Sequence, residues 1–163
     1  MPNASADRQL PSAHERRGRR LFLAGAVLLI VMGLVHSLSL VKPPVAANET
    51  ERQLLELMSG YRFDLLGSMR SMQNLMTGFS ISFMLAVFGF GAVDLSLGRG
   101  PAPLVKRVAL VNALWLLVMT AVSLRYFFAV PTSFLAAATL LFLLATVTLP
   151  GAAEADRGGS DGR

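Results

Sequence analysis

Four apolar stretches, residues 21–41, roughly 74–97, 108–128 and 132–149, occupy most of this 163-residue chain. Each offers roughly 18–24 mostly uncharged positions, and a helix rising ~1.5 Å per residue needs ~20 of them to cross ~30 Å of hydrocarbon. The expected architecture is therefore all-α: a four-transmembrane-helix bundle forming a single domain over 21–150, with an additional amphipathic helix between spans 1 and 2. A basic tail over 1–20 and a polar tail over 151–163 are expected to be disordered, because neither carries enough apolar surface to offset the entropy of ordering.

The charges fit this reading. Only 15% of residues are charged, against about 25% in an ordinary soluble domain. The formal charge of +5 does not argue for nucleic acid, because the basic residues lie just outside the apolar runs, where they meet lipid head groups and fix orientation. The lipid bilayer is the expected partner. With both termini cytoplasmic, that side carries Arg8, Arg16, Arg17, Arg19, Arg20, Arg99, Lys106, Arg107, Arg157 and Arg163, and the other carries Lys42, Arg52, Arg62, Arg70 and Arg125. The excess favours this orientation. Ala-, Gly- and Arg-rich, Lys-poor usage suggests a bacterial chain, hence a multi-pass protein of the inner membrane. Absence of cysteine excludes disulfide, thiolate-metal and dithiol redox chemistry.

Arg16-Arg17-Gly18-Arg19-Arg20 ahead of an apolar run also describes a signal peptide, with Pro44-Val45-Ala46-Ala47 as its cleavage site, but the run of about 21 residues exceeds a signal's ~7–15. Lys42-Pro43-Pro44 closes the first span. Asn48 then caps a helix over about 48–66, with Glu51 as the reciprocal half of a capping box. Along it Leu54, Leu57, Met58, Tyr61 and Leu65 recur at helical intervals, so its apolar face should lie on the outer bilayer surface or over the mouth of the bundle. Pro131 separates spans three and four with almost no loop, giving an antiparallel pair.

Small residues let membrane helices approach closely. The stripe Gly25, Leu29, Gly33, His36, Leu40 on the first span is expected to face Asn74, Gly78, Ser82, Leu85, Gly89 on the second. Asn112 and Ser123 share a face of the third span and suit interhelical hydrogen bonds. Asp94 should meet Arg99 or the loop cations, Trp115 should pack inside, and Met69, Met72 and Met76 read as adaptable core filler.

A histidine within a span is a functional hypothesis by default. His36 lies about 16 residues beyond Arg20 and Arg125 about 18 beyond Arg107, so both sit ~24–27 Å from the cytoplasmic edge at ~1.5 Å per residue. That depth is close to the outer boundary, and Asp64, in Tyr61-Arg62-Phe63-Asp64, is the nearest acid in sequence to the outer surface. His36, Tyr61, Arg62, Asp64, Asn74 and Arg125 are the candidate ligand-binding residues. The plain alternative is structural, with His36 bonded to a neighbouring carbonyl and Arg125 reaching the interface beside Tyr126.

Gly33-Leu34-Val35-His36, Tyr61 to Asp64, Thr77-Gly78-Phe79-Ser80 and Leu124-Arg125-Tyr126-Phe127-Phe128 before Val130-Pro131 together resemble a family of short, uncharacterised bacterial four-span integral membrane proteins. The resemblance covers about 21–149 and implies the four-span fold without an activity. The chain has no nucleotide loop, metal-ligand cluster or nucleophile–base pair, and one membrane-level histidine is too few for a bis-histidine haem, so no cofactor or metal is expected. The first expectation is a non-enzymatic membrane component that packs as a homo-oligomer or with another membrane protein. A small-ligand or quinone-like binding protein with an outward-facing pocket around His36, Asp64 and Arg125 is the alternative, and a small transporter is third.

Overall fold

A computed structural model describes residues 12–42 and 44–151. In chain order the elements are α1 (Ala13–Val41), α2 (Glu49–Gly60), β1 (Arg62–Leu65), β2 (Ser68–Ser71), α3 (Met72–Leu97), α4 (Ala102–Tyr126) and α5 (Ala129–Thr148). Helices α1, α3, α4 and α5 are long and apolar enough to cross a membrane. The fold is all-α apart from one short hairpin, and the chain is a multi-pass membrane protein.

Two compact units divide the chain, and both boundaries fall inside helices. One comprises the residues up to Leu28 and from Val93 onward, the other Leu29–Ala92. In the first unit α4 and α5 are joined through Phe127 and Phe128 alone. They run antiparallel: Ser123 Oγ lies 2.7 Å from Thr132 Oγ1, Thr120 Oγ1 3.3 Å from Thr139 Oγ1, and Lys106 Nζ donates to Leu149 O at 2.8 Å. Ala102, Ala109 and Ala113 on α4 and Ala138 and Ala145 on α5 are buried, which allows close backbone approach. Phe22 and Phe142, both fully buried, meet edge to face at 5.5 Å between centroids.

The N-terminal tail is shorter than the sequence suggests. Residues 13–20 are helical because Ser12 caps α1, its hydroxyl accepting from Glu15 N at 3.1 Å, while Glu15 pairs with Arg19 one turn on at 2.8 Å. The expectation of disorder for residues 1–11 and 152–163 lies outside the described residues. Arg19 also donates from Nη1 to Gly98 O (2.9 Å) and Gly100 O (2.7 Å). It thereby satisfies carbonyls left free where α3 ends, as Lys106 does for the end of α5.

In the second unit Asn48 caps α2 as its spacing suggests: Asn48 Oδ1 accepts from Glu51 N at 2.9 Å, and the returning Glu51 carboxylate accepts from Ala47 N at 2.7 Å. This helix does not reach residue 66. It stops at Gly60, and residues 62–71 form an antiparallel hairpin in the register Arg62↔Ser71, Phe63↔Arg70, Asp64↔Met69, Leu65↔Ser68. The turn carries positive φ at Leu66 (51°) and Gly67 (84°), and Asp64 Oδ1 accepts from Gly67 N at 2.8 Å. Two consecutive positive φ values fit the tight two-residue hairpin link, which helical periodicity passes over.

Several packing expectations need correction. A Cβ on Gly25 would meet the Phe142 ring at 2.9 Å and one on Gly33 would meet Val87 at 3.1 Å and Phe88 at 3.3 Å, so both glycines do sit in seams. Their partners are not the Gly78/Ser82/Gly89 stripe, since a Cβ at Gly78 or Gly89 would meet nothing within 4 Å. Trp115 lies off the buried face of α4 and is exposed, and Met69, Met72 and Met76 are about half exposed, so none of the four fills a core.

Candidate functional site

The hairpin hands the chain to α3 without a linker. Ser71, 3% exposed, caps that helix: its Oγ accepts from Asn74 N at 3.2 Å, while Asn74 Oδ1 accepts from Ser71 N (3.1 Å) and Ser71 Oγ (3.0 Å). This reciprocal Ser-x-x-Asn cap fixes the angle between strand and helix. Against it opens a concavity of about 530 Å³ lined by Arg62, Met69 and Arg70 from the hairpin and by Asn74, Leu75, Gly78, Phe79 and Ser82 from α3. The helical members share one stripe, and Gly78 leaves room where a side chain would intrude.

Chemically the groove is two-sided. Arg62 and Arg70 bring guanidinium groups, Asn74 and Ser82 neutral polar ones, and Met69, Leu75 and Phe79 an apolar wall. None of the lining residues is acidic. Asp64, the nearest carboxylate in sequence, is engaged by Gly67 N within its own turn. An uncompensated pair of planar forks beside an apolar wall suits an anion that carries a hydrophobic tail.

Of the residues selected from sequence, Arg62 and Asn74 come together in this groove. Tyr61, just ahead of it, stacks on Phe63 at 6.5 Å. His36 meets Phe83 edge-on at 5.1 Å, and its Nε2 is buried with no hydrogen-bond partner. Arg125 lies over the Tyr126 ring, 5.3 Å from its centroid. Met69, Arg70, Leu75, Gly78, Phe79 and Ser82 escape selection because a helix expected over about 48–66 hides the hairpin that brings strand and α3 residues together. Their one signal was the serine three residues before Asn74.

The first unit holds a second polar pair. Asp94, 3% exposed, accepts from Asn112 Nδ2 at 2.8 Å, where Arg99 or another loop cation was expected. Arg19 and Lys106 are occupied by backbone carbonyls instead. Asn112 and Ser123 thus both make the interhelical bonds their shared face suggests. No group of three or more His, Cys, Asp or Glu side chains suited to a metal occurs among the described residues. Comparison with protein-family models, curated proteins and solved structures finds no match for this chain.

Proposed function

We propose that this chain is a non-enzymatic component of the bacterial inner membrane, with both termini cytoplasmic, that holds an anionic amphiphile in the groove between its hairpin and α3. The observation that carries the reading is the opening of Arg62 and Arg70 onto the same concavity as Leu75 and Phe79, with no acid in the lining. Guanidinium forks recognise phosphate or carboxylate oxygens in pairs. The apolar wall takes the adjoining chain. Lys and Arg counts around the spans support the orientation and put the groove on the non-cytoplasmic side. The four-span pattern of Gly33 to His36, Tyr61 to Asp64, Thr77 to Ser80 and Leu124 to Phe128 supports membership of the short bacterial family it resembles.

Gentle detergent extraction followed by native mass spectrometry tests the reading. The wild-type chain should retain an anionic lipid at near-stoichiometric level, and Arg62→Gln/Arg70→Gln should lose it while keeping its fold. Equal retention by the two proteins would sink the proposal. Inorganic phosphate added before analysis distinguishes the sources: displacement shows that the head group alone is recognised, and retention shows that the tail is bound as well.

A further inference from the structure

The tip of the hairpin is chemically out of place for a turn in water. Leu66 lies in the left-handed region and is fully exposed. A two-residue turn with positive φ at both positions favours Asn, Asp or Gly, which adopt that conformation readily and leave nothing apolar in solvent. Leucine is unfavourable on both counts. Its neighbour Leu65 is also exposed. Nevertheless the tip is firmly built, by four registered residue pairs and by the bond from Gly67 N to Asp64 Oδ1.

The surroundings of the tip bear on what it meets. β2 ends at Ser71 and α3, a candidate membrane span, begins at Met72. Hairpin residues line one groove with α3 residues as far along as Ser82, eight positions beyond Asn74, or ~12 Å at ~1.5 Å per residue. The hairpin therefore lies along the first turns of a span. Met69 on the adjoining strand and Met72, Met76 and Phe79 on the first turns of that helix are exposed and apolar as well. At the base stand Arg62 and Arg70, whose charge complements lipid phosphates, beside the stacked rings of Tyr61 and Phe63, a pairing typical of the membrane interface.

We infer that the β1–β2 hairpin is an interfacial membrane anchor: Leu65 and Leu66 enter the leaflet beside the head of α3, and Arg62 and Arg70 meet the phosphate layer. The anchor does not require the groove to be occupied, so it stands or falls separately from amphiphile binding.

Because the chain has no cysteine, a single nitroxide can be placed at Leu66→Cys, and a reference at Gln53→Cys on α2, in nanodiscs of phosphatidylcholine and phosphatidylglycerol. Leu66 is covered by no other side chain, so its substitution should leave thermal unfolding unchanged. Power-saturation measurements should find the Leu66 label readily reached by oxygen and poorly reached by a water-soluble nickel chelate, with the reverse at Gln53. Chelate access at Leu66 equal to that at Gln53 would place the tip in water and overturn the inference. Low access to both reagents would mean that protein, either a second copy or another chain, covers the tip, and would overturn it equally.

Discussion

The two compact units of this protein use the same apolar alphabet to opposite ends. In the unit built from the start of α1, the end of α3 and the pair α4–α5, alanines and Phe142 close the seams, Ser123 meets Thr132, Asp94 meets Asn112, and cations seal the free carbonyls of two helix ends. In the unit of Leu29–Ala92 the buried apolar side chains are Leu29, Met32 and Val87. There glycines at 78 and 89 face open space, α2 buries nothing, and an arginine-lined groove stays open. Between helices in lipid, packing and polar pairing supply the stability. A unit whose spans are closed by both is a scaffold, and a unit whose polar pairs lie in its caps and α2 while Arg62 and Arg70 open onto a groove without an acid is where ligands can act.

If that division is right, the largest losses of stability come from the first unit. Phe142→Ala should cost about 3–5 kcal/mol, as for other fully buried aromatics, whereas Phe79→Ala, on an exposed face, should stay within about 0.5 kcal/mol. Unfolding in mixed micelles measures both, and similar losses would erase the contrast. Next comes the polar pair. Asn112→Leu leaves the Asp94 carboxylate buried without its donor and should cost about 1–3 kcal/mol, more than Ser123→Ala, where Thr132 keeps its bond to Phe128 O.

In the second unit the order reverses, and binding should change while the fold does not. Arg62→Gln or Arg70→Gln singly should weaken retention of an anionic amphiphile by roughly tenfold, the equivalent of about 1.4 kcal/mol, with unchanged melting. Binding isotherms at low and high salt check this, since screening should narrow the gap between wild type and variant. The smallest effect belongs to α2, where the Arg52 guanidinium, first, and then the Gln53 amide hold the Glu49 carboxyl below its ordinary 4.5. A lowered carboxyl contributes stability that is present above 4.5 and lost as the pH falls through the lowered value. Arg52→Gln should therefore move the Glu49 titration midpoint, followed by carboxyl NMR, upward toward 4.5, leaving the four spans unaffected.

Span positions were legible because apolar run length is a one-dimensional property, and so was the Asn48 cap, whose parts sit three residues apart. The antiparallel pairing of the last two spans and the bonds of Asn112 and Ser123 were legible for the same local reason, although the link is Phe127–Phe128 and Pro131 lies in the first turn of α5. What failed was of two kinds. The hairpin hid behind helical periodicity, because Leu54, Leu57, Met58, Tyr61 and Leu65 keep a three- and four-residue rhythm straight through Gly60, and only Asp64-Leu65-Leu66-Gly67 betrays the turn. The seams failed because a small residue marks a close approach without saying to what: Gly25 and Gly33 lie eight residues apart on one face, yet one meets α5 and the other α3. All of the groove but Arg62 and Asn74 escaped because its two sides are gathered by a strand–helix junction, and no sequence spacing joins Arg62 to Ser82.

The more tightly packed unit is discontinuous, with α1 up to Leu28 waiting for everything from Val93 onward. On the ribosome this sets a clock. At roughly 5–20 residues per second, the intervening segment 29–92 takes several seconds to synthesise. Throughout that interval Phe22 and Gly25 lack Phe142, and Arg19 lacks the carbonyls of Gly98 and Gly100. The first span is thus made early and finished late, its seam closing only once α4 and α5 have followed it.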